Sequence, residues 1–354
     1  MKVAIDARRL QDRPLFGVGR GIANVLPTLA QEIEIVLLCD RRRASPAGFD
    51  CEIVSLPGFG PLPEIAWLQL GVPWWLNKRD LVFHGPYNAV PFASRGRTVV
   101  TIHDLSWEHH PEGFTALRRA ALIVQARWSV RHADSIVTVS EFVKNQIVDT
   151  YKVGPDRIVV APNSADPLFT PARAIDAAKV LARYGATSPY VVALGGASRR
   201  ALPTSIEAWK IAVAQMSPRP HLVVVGPESP PRAPGIFHVG VLDDLDWSAV
   251  LAGAEAFCYP TRYEGFGMPA LESAASGTPV VCAKVASLPE VLGSAAGWAE
   301  SAGSDDIAGA LYRILTDSDL RSSIRTAGLQ RAISAPTWTD AANALLNAYE
   351  MAAA

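Results

Sequence analysis

The sequence has little cysteine and no long apolar run. Its four cysteines, Cys39, Cys51, Cys258 and Cys282, stand far apart and form no C-x-x-C pair. This spacing gives no sign of a disulfide framework and is typical of small buried residues in a reducing compartment. The N-terminus MKVAIDARRL lacks the apolar run of a signal peptide, and no stretch approaches the ~18 apolar residues of a membrane-spanning helix. We therefore expect a cytoplasmic protein, with peripheral contact at the inner face of the cell membrane left open.

The chain also lacks an excess of charge of either sign. Its 354 residues include 33 basic and 34 acidic side chains, which give a formal net charge of −1. A dedicated nucleic-acid-binding protein normally shows a strongly basic face, so no nucleic-acid partner is expected. Hydrophobic residues make up 49% of the chain. At roughly 100 to 200 residues per domain, the length predicts two domains with sizeable cores.

Short β-branched segments alternate with helical patterns along the whole chain. Strands are predicted at 2–5, 33–39, 80–84, 98–103, 135–140, 190–196, 221–226, 236–241, 256–260 and 279–283. Helices are predicted at 116–134, 203–215, 269–276 and 338–354. Such alternation is typical of α/β proteins with parallel sheets and helices on both faces. The proline-rich segment 161–174 separates the halves, so we expect two doubly wound domains facing across a cleft.

The most informative stretch is TRYEGFGMPALESAASGTPVV, residues 261–281. Glu264 follows a predicted strand, at the end where ligands bind in open parallel sheets. The glycines of the Gly-Phe-Gly segment allow close approach of the backbone to a ligand, and Pro269 suits the first turn of a helix. The free amides of that helix make an anion site, for which phosphate is the usual anion. Glu272 lies near the end of the first helical turn and is predicted to face the same cleft.

Carboxylates beside an anion site are suited to binding hydroxyl groups. An ionised carboxylate accepts hydrogen bonds with both oxygens, which matches the vicinal diol of a ribose or a sugar ring. One glutamate for a ribose and one for a sugar, with a diphosphate between them, describes a nucleotide sugar. The spacing alone is equally compatible with an ordinary helix start that carries acidic residues in its first turn.

The segment YEGFGMPALESAASGTPVV resembles the E-x7-E signature of the retaining glycosyltransferases of family 4, which have the GT-B fold. Four segments of the first half are similar to mannosyltransferase-type members of that family: FGVGR (16–20), HGPYNAVP (84–91), TIHDLSWEHHPEGF (101–114) and ADSIVTVSEFVKN (133–145). The resemblance covers nearly the whole chain. It implies an acceptor-side Rossmann-like domain at 1–168, joined by a C-terminal helix at about 338–354 that crosses back, and a nucleotide-sugar-binding Rossmann-like domain at 169–337.

The resemblance also implies a reaction. We expect a hexose, first of all mannose, to move with retained configuration from a nucleotide-diphosphate sugar to a glycan or lipid-linked glycan. GDP-mannose is the first expected donor and a UDP-sugar the second, and neither a cofactor nor a bound metal is expected. An Asp-x-Asp pattern does occur at 243–246, but we interpret it as the cap of the helix that follows.

The family's site residues carry over onto matching positions of this chain. The expected catalytic residues are Glu264 and His103, of which the histidine closes a predicted strand and is expected to contact the transferred sugar. The expected donor-binding residues are Arg199, Arg200, Gly196, Val241, Gly265, Phe266, Gly267, Met268, Glu272, Gly17 and Gly19. Weaker predictions of acceptor contact fall on Arg20, His84, Asn88 and Asp104.

One position departs from the family pattern. The family commonly has Arg-Lys-Asn where this chain has Arg199, Arg200 and Ala201, so both charges are kept but the amide is lost. This departure leaves open a non-catalytic nucleotide-sugar-binding subunit of a polysaccharide assembly complex. A second alternative, independent of the departure, is a sugar-nucleotide epimerase on the same fold. A dinucleotide site at the glycine-rich loop is disfavoured, because Ile22 replaces the third glycine of G-x-G-x-x-G.

Two surface features have two interpretations each. Tryptophans cluster in IAWLQLGVPWWLNKR (65–79), where core packing is the first interpretation and a membrane-facing surface assisted by Lys78 and Arg79 is the second. The helix at 116–134 carries four arginines, Arg118, Arg119, Arg127 and Arg131. Such a helix usually presents a solvated face, but it can also touch anionic lipid.

Overall fold

The computed structural model describes residues 1–354 except 13, 14, 16, 59–63, 78, 94, 95 and 197, and the side chain of Glu64. Lys78 of the tryptophan segment and Phe16 of the glycine-rich segment therefore lie outside the described residues. The chain forms two compact units, which are Met1–Asn163 with Pro336–Ala354, and Ser164–Ala335. Both boundaries fall a few residues before the positions expected from the sequence.

The first unit is built on a seven-stranded parallel sheet. Its strands are β1 (Lys2–Asp6), β2 (Glu34–Asp40), β3 (Glu52–Leu56), β4 (Val82–Gly85), β5 (Thr98–Ile102), β6 (Ser135–Thr138) and β7 (Ile158–Val160). They lie in the order β3-β2-β1-β4-β5-β6-β7, and every neighbouring pair is parallel. All residues of β4, β5 and β6 are buried, as expected for a parallel sheet covered by helices on both faces.

Among the described residues before 164, the first unit has six α-helices. They are α1 (Gly17–Glu32), α2 (Glu64–Ala66), α3 (Val72–Leu76), α4 (Ser106–His109), α5 (Ala116–His132) and α6 (Glu141–Tyr151). A π-helical turn, Trp67–Gly71, joins α2 to α3 and makes residues 64–76 one continuous helical segment. Trp67 and Trp75 of this segment are buried in the core, whereas Trp74 is exposed, so core packing accounts for only part of the tryptophan cluster.

The second unit repeats the architecture with six parallel strands. These are β8 (Tyr190–Leu194), β9 (His221–Val225), β10 (Ile236–Gly240), β11 (Ala256–Cys258), β12 (Val280–Ala283) and β13 (Ala296–Ala299), in the order β10-β9-β8-β11-β12-β13. Its helices are α7 (Ala174–Ala182), α8 (Leu202–Val213), α9 (Asp244–Ala252), α10 (Met268–Ala275), α11 (Leu288–Leu292), α12 (Ser304–Thr316) and α13 (Ser318–Ser334). The strand order reverses between β8 and β11, which makes their carboxyl ends the switch point where such sheets bind ligands.

The chain then returns to the first unit as α14 (Trp338–Ala353), in agreement with the expected C-terminal helix. A capping box between Thr337 and Asp340 starts the helix. Leu345 and Tyr349 lie four residues apart and belong to its buried stripe, which packs against α1 and the sheet. The expectation of two Rossmann-like units with a returning terminal helix is therefore confirmed.

The cysteines of the sheet strands are free, buried thiols, as the sequence predicts. Cys39, Cys258 and Cys282 lie in β2, β11 and β12, and burial raises the pKa of each thiol. They are therefore protonated and unreactive at neutral pH. Within the described part of the chain, no helix has both the length and the apolar character that crossing a bilayer requires.

Candidate active site

The loops that follow β8 and β11 bring several predicted residues together at the switch point of the second sheet. Arg199 and Arg200 form a 3-10 turn after β8, and Glu264 follows β11. The Arg199 carbonyl oxygen accepts hydrogen bonds from the Arg262 backbone amide at 2.9 Å and from Thr261 Oγ1 at 3.3 Å. These bonds tie one loop to the other and place the arginine pair beside the glutamate.

Glu264 is a buried carboxylate surrounded by donors. Tyr259 Oη donates to its Oε1 at 2.5 Å, and Arg199 Nη2 lies 3.5 Å from its Oε2. The backbone carbonyl of the same residue accepts from Ser287 Oγ at 3.0 Å, so the main chain is fixed as well as the side chain. Burial and the neighbouring carboxylate raise the pKa of Tyr259 well above its usual value, so the phenol stays protonated and keeps donating.

Arg200 has a donor that none of the described protein groups satisfies. Its Nε is buried and lies 3.9 Å from Glu264 Oε1, which is beyond hydrogen-bond distance. Leaving a buried N–H unpaired costs about 1–3 kcal/mol, and a ligand oxygen would remove that cost. The position beside Glu264 is therefore suited to an anionic ligand.

The start of α10 has the backbone geometry that the sequence predicts. Gly267 is the N-cap, with φ of +91°, and Pro269 occupies the first turn. A Cβ on Gly267 would lie 2.6 Å from Leu288 Cδ2, so both conformation and space require glycine there. The first turn of α10 thus begins at the Glu264 loop, as expected for a helix that binds an anion at its N-terminus.

Glu272 lies within α10 and is buried against a tryptophan. Trp247 Nε1 donates to Glu272 Oε2 at 2.9 Å. The indole comes from α9, whose N-cap Asp243 accepts from the Asp246 amide at 2.8 Å. The interpretation of the Asp-x-Asp pattern as a helix cap is therefore confirmed. The capped helix, α9, carries Trp247, the hydrogen-bond partner of Glu272.

The remaining predicted donor-binding residues of the second unit surround this loop pair or follow β10. Gly196 adopts φ of +112° after β8, and its amide donates to Glu228 Oε2 at 3.2 Å. Val241 is exposed directly after β10. Gly265 and Phe266 lie between Glu264 and α10, where Phe266 is buried, and Met268 is the first residue of α10.

Ala201 has an unusual backbone for its residue type. It is the N-cap of α8 and lies in the left-handed region, with φ of +51° and ψ of +53°, and no side chain caps the helix. Asparagine tolerates this region better than alanine does and is also a good N-cap. The position where the resembling family has asparagine is therefore one where this chain accepts backbone strain.

In the first unit, His103 is held in a defined orientation at the end of β5. Its Nε2 lies 2.8 Å from the Pro86 carbonyl oxygen, which can only accept, so Nε2 carries the proton. Burial lowers the pKa of His103, which keeps the imidazole neutral and leaves a lone pair on Nδ1. The residue can thus accept a hydrogen bond from a hydroxyl group.

Asn88 holds His103 in place, a role that sequence patterns did not reveal. Asn88 Oδ1 accepts a hydrogen bond from the His103 backbone amide at 3.1 Å. The Asn88 backbone amide in turn donates to the Thr101 carbonyl oxygen at 2.9 Å. Asn88 adopts φ of +58°, which asparagine tolerates. Its side-chain oxygen is therefore used within the protein, and contact with an acceptor remains a prediction.

His84 is a core residue rather than a surface one. It is buried, with Nδ1 2.8 Å from Tyr349 Oη and Nε2 2.7 Å from Thr101 Oγ1. Burial lowers its pKa to about 3. Both ring nitrogens are thus engaged by protein groups, and contact of His84 with an acceptor stays a prediction.

The other predicted residues of the first unit have local roles. Gly19 of α1 packs so closely on the turn before it that a Cβ would lie 2.5 Å from the Arg9 carbonyl oxygen. Gly17 begins α1 with φ of +39° and has open space around it. Asp104 Oδ1 accepts from the Ser106 amide at 2.8 Å, and the Arg20 carbonyl accepts from Asn24 Nδ2 at 3.0 Å. None of these contacts tests the predicted donor or acceptor roles.

A cavity of about 50 Å³ lies next to His103 in the first unit. Its walls come from β5, β6, α1 and α14, with apolar side chains such as Ile22 and Leu345 predominating, and His84 also lines it.

Two family models match the chain. The model for Glycosyltransferase Family 4 matches residues 17–167, and the model for Glycosyl transferases group 1 matches residues 188–317. The second match lies within the second unit, whereas the first match ends at residue 167, just past the end of the first unit at Asn163. The chain is a glycosyltransferase with the GT-B fold.

The relatives of this glycosyltransferase include mannosyltransferases. O-antigen chain mannosyltransferase B of Escherichia coli is 29% identical over 291 residues, which cover 77% of this chain and 75% of the relative. Among solved structures, WaaG, a glycosyltransferase involved in lipopolysaccharide biosynthesis, superposes with a TM-score of 0.77 at 15% identity, covering 97% of this chain and 98% of WaaG. HepE of Anabaena, solved in complex with UDP and glucose, has a TM-score of 0.73 at 14% identity and 98% coverage of both chains. At these identities the structural likeness shows the fold alone.

Proposed function

We propose that this glycosyltransferase is a metal-independent, retaining enzyme that moves mannose from GDP-mannose to a glycan or lipid-linked glycan. A UDP-sugar is the second candidate donor. The observation that carries the proposal is the buried Glu264 carboxylate, held by Tyr259 beside two arginines at the switch point of a parallel sheet. The mannosyltransferase relative supports mannose as the sugar.

Different residues of the site suit the diphosphate, the sugar and the ribose of a nucleotide sugar. Arg199, Arg200 and the N-terminus of α10 bind the diphosphate, since guanidinium groups and helix amides both favour phosphate oxygens. Glu264 accepts hydrogen bonds from hydroxyl groups of the sugar. Glu272 binds the ribose diol, which requires its carboxylate to accept from the diol in addition to Trp247.

During transfer the bond between the anomeric carbon and the diphosphate oxygen breaks, the acceptor oxygen bonds to that carbon, and the proton of the acceptor hydroxyl passes to the leaving diphosphate oxygen. Negative charge grows on the diphosphate while the sugar gains oxocarbenium character. The arginines and the α10 amides stabilise the first charge, and the Glu264 carboxylate stabilises the second. His103 accepts a hydrogen bond from a sugar hydroxyl through Nδ1, because Nε2 is committed to Pro86.

A ligand screen followed by a product assay tests the proposal. GDP, UDP, ADP and their sugars are compared by thermal shift, since a ligand that binds only the folded protein raises its melting temperature. We expect GDP and GDP-mannose to give the largest shifts. NMR of the product should then show an α-linkage from the α-configured donor.

Matched variants make the binding test specific to the site. Arg200→Gln removes one charge-assisted contact and should weaken nucleotide binding by roughly 10- to 100-fold. Arg219→Gln, an exposed arginine of the same unit, should leave binding unchanged. Equal effects of both variants, or no shift with any nucleotide, would contradict the proposal. Tight binding without turnover would instead support a binding subunit, and conversion of the donor without an acceptor would support an epimerase.

A further inference from the structure

Three buried aromatic side chains connect Glu264 to Glu272 within the second unit. The rings of Tyr259 and Phe257 stack with their centroids 4.9 Å apart, and the rings of Phe257 and Trp247 meet edge-on at 6.0 Å. Both distances lie in the range in which aromatic pairs attract each other. We call Tyr259, Phe257 and Trp247 the aromatic column.

Each end of the aromatic column donates a hydrogen bond to one of the two carboxylates. Tyr259 Oη donates to Glu264 Oε1 at 2.5 Å, and Trp247 Nε1 donates to Glu272 Oε2 at 2.9 Å. Both glutamates are buried, and a buried carboxylate is costly unless donors surround it. The side chain of Phe257 has no polar atom, yet its ring contacts the rings of both donors. The positions of the two carboxylates therefore depend on the same ring.

The sheet holds the middle of the aromatic column in place. Phe257 is fully buried in β11, which pairs with β8 on one side and β12 on the other. Its amide donates to the Pro279 carbonyl at 2.9 Å, and the Tyr259 amide donates to the Val281 carbonyl at 2.8 Å. Residues two apart on a strand lie on the same face, which brings the two rings together. Because protein interiors are close-packed, a change at Phe257 is passed on to both neighbouring rings.

From this arrangement we infer that the aromatic column fixes the two carboxylates as a pair, and that Phe257 is a positioning residue for both. The inference rests on the proposed function, in which Glu264 serves the sugar and Glu272 the ribose. Tyr259 holds one carboxylate and Trp247 the other, whereas Phe257 supports both donors. Loss of its ring therefore disturbs turnover and donor binding together. A residue that only filled the core would affect stability without this combination.

Initial-rate kinetics of single variants test the inference with the full chain. Tyr259→Phe should mainly lower kcat, and Trp247→Phe should mainly raise the donor KM. Phe257→Leu keeps both donors but removes the ring between them, so it should lower kcat and raise the donor KM, each about 2- to 10-fold. The control Phe83→Leu makes the same change at a fully buried position of β4 and should alter neither constant. A Phe257→Leu enzyme that changes only one constant, or behaves like the control, would overturn the inference.

A double-mutant cycle in urea denaturation tests the aromatic column without any transfer assay. The effects of Tyr259→Phe and Trp247→Phe on the unfolding equilibrium constant are measured singly and together. If the rings act as one unit, the combined effect should differ from the product of the single effects by more than about twofold. In the Phe257→Leu background the two effects should multiply within that limit.

The two measurements separate the possible failures. A parent enzyme that transfers no sugar would contradict the proposed function, and the stability cycle would still decide whether the rings are coupled. If Phe257→Leu does not fold, the cycle in the parent decides alone. Effects of Tyr259→Phe and Trp247→Phe that simply multiply in the parent would refute the coupling of the two carboxylates through Phe257.

Discussion

Tyr259 gives the sharpest test of how the Glu264 carboxylate is held. Tyr259→Phe removes the 2.5 Å hydrogen bond to Glu264 Oε1 and changes little else in volume. The next donors to that oxygen are distant, with Thr261 Oγ1 at 3.5 Å and Arg200 Nε at 3.9 Å. The carboxylate would therefore lose its one short contact at this oxygen among the described residues.

The expected size of the effect follows from the charge of the acceptor. A hydrogen bond to an ionised group contributes about 1.5–3 kcal/mol. If the carboxylate must stay in this orientation to stabilise the transition state, kcat should fall roughly 10- to 100-fold, at 1.36 kcal/mol per factor of ten. Donor KM should change much less, because the arginines that we propose bind the diphosphate are untouched.

Tyr190→Phe is the matched control. Tyr190 is buried in the same unit, and its hydroxyl donates to the Val250 carbonyl at 2.8 Å, away from the arginine loops. Its loss should cost about 0.5–1.5 kcal/mol of stability and leave kcat unchanged. Initial rates and urea denaturation of both variants make the comparison. A folded Tyr259→Phe enzyme with the kcat of the parent, or an equal loss of kcat in both, would refute the proposed role.

Three further predictions address other parts of the molecule. Glu272→Gln should raise the donor KM several-fold with little change in kcat, and a kcat effect larger than the KM effect in initial-rate assays would contradict a ribose contact. Ala201→Asn should stabilise the second unit by about 1 kcal/mol, raising its melting temperature by about 2–4 °C. Ala286 also has a positive φ, so the control Ala286→Asn should show a similar gain in stability without a change in donor affinity. If neither variant is stabilised, backbone strain at these two alanines is excluded. His84 has a pKa of about 3 in the folded protein against 6.5 as its ordinary value, so the unfolded chain binds its proton first and stability falls as pH drops from 6.5 towards 3. Urea titrations should therefore show a slope with pH that is shallower in His84→Gln by up to about 1.4 kcal/mol per pH unit, and identical slopes would show that His84 is not buried neutral.

Most of the fold follows from hydrophobic patterning, and the exceptions have physical reasons. All ten predicted strands occur, because buried parallel strands leave uninterrupted β-branched segments in the sequence. The strands without a prediction are β3, β7 and β13. The first is an edge strand that is mostly exposed, the second has three residues, and the third reads Ala-Gly-Trp-Ala, which has little β propensity.

The candidate site was predictable where it depends on strand ends and helix starts, and not where it depends on contacts between distant segments. The proximity of Glu264 to Arg199 and Arg200 follows from the rule that ligands bind beyond the carboxyl ends of neighbouring strands. The donors Tyr259 and Trp247 had no such signal, since a tyrosine at a strand end and a tryptophan in a helix usually fill a core. The burial of His84 had no such signal either, because its partner Tyr349 is 265 residues away in the sequence.

The most direct test of the central claim is the rate of sugar transfer by Glu264→Gln. This change keeps the shape of the side chain but removes the charge that we propose stabilises the oxocarbenium-like sugar. We expect transfer to fall by at least about 100-fold while the nucleotide still raises the melting temperature. The control Glu207→Gln removes an exposed carboxylate from α8 and should transfer sugar at the parent rate. Near-normal transfer by Glu264→Gln would contradict the assignment of Glu264 as the catalytic carboxylate.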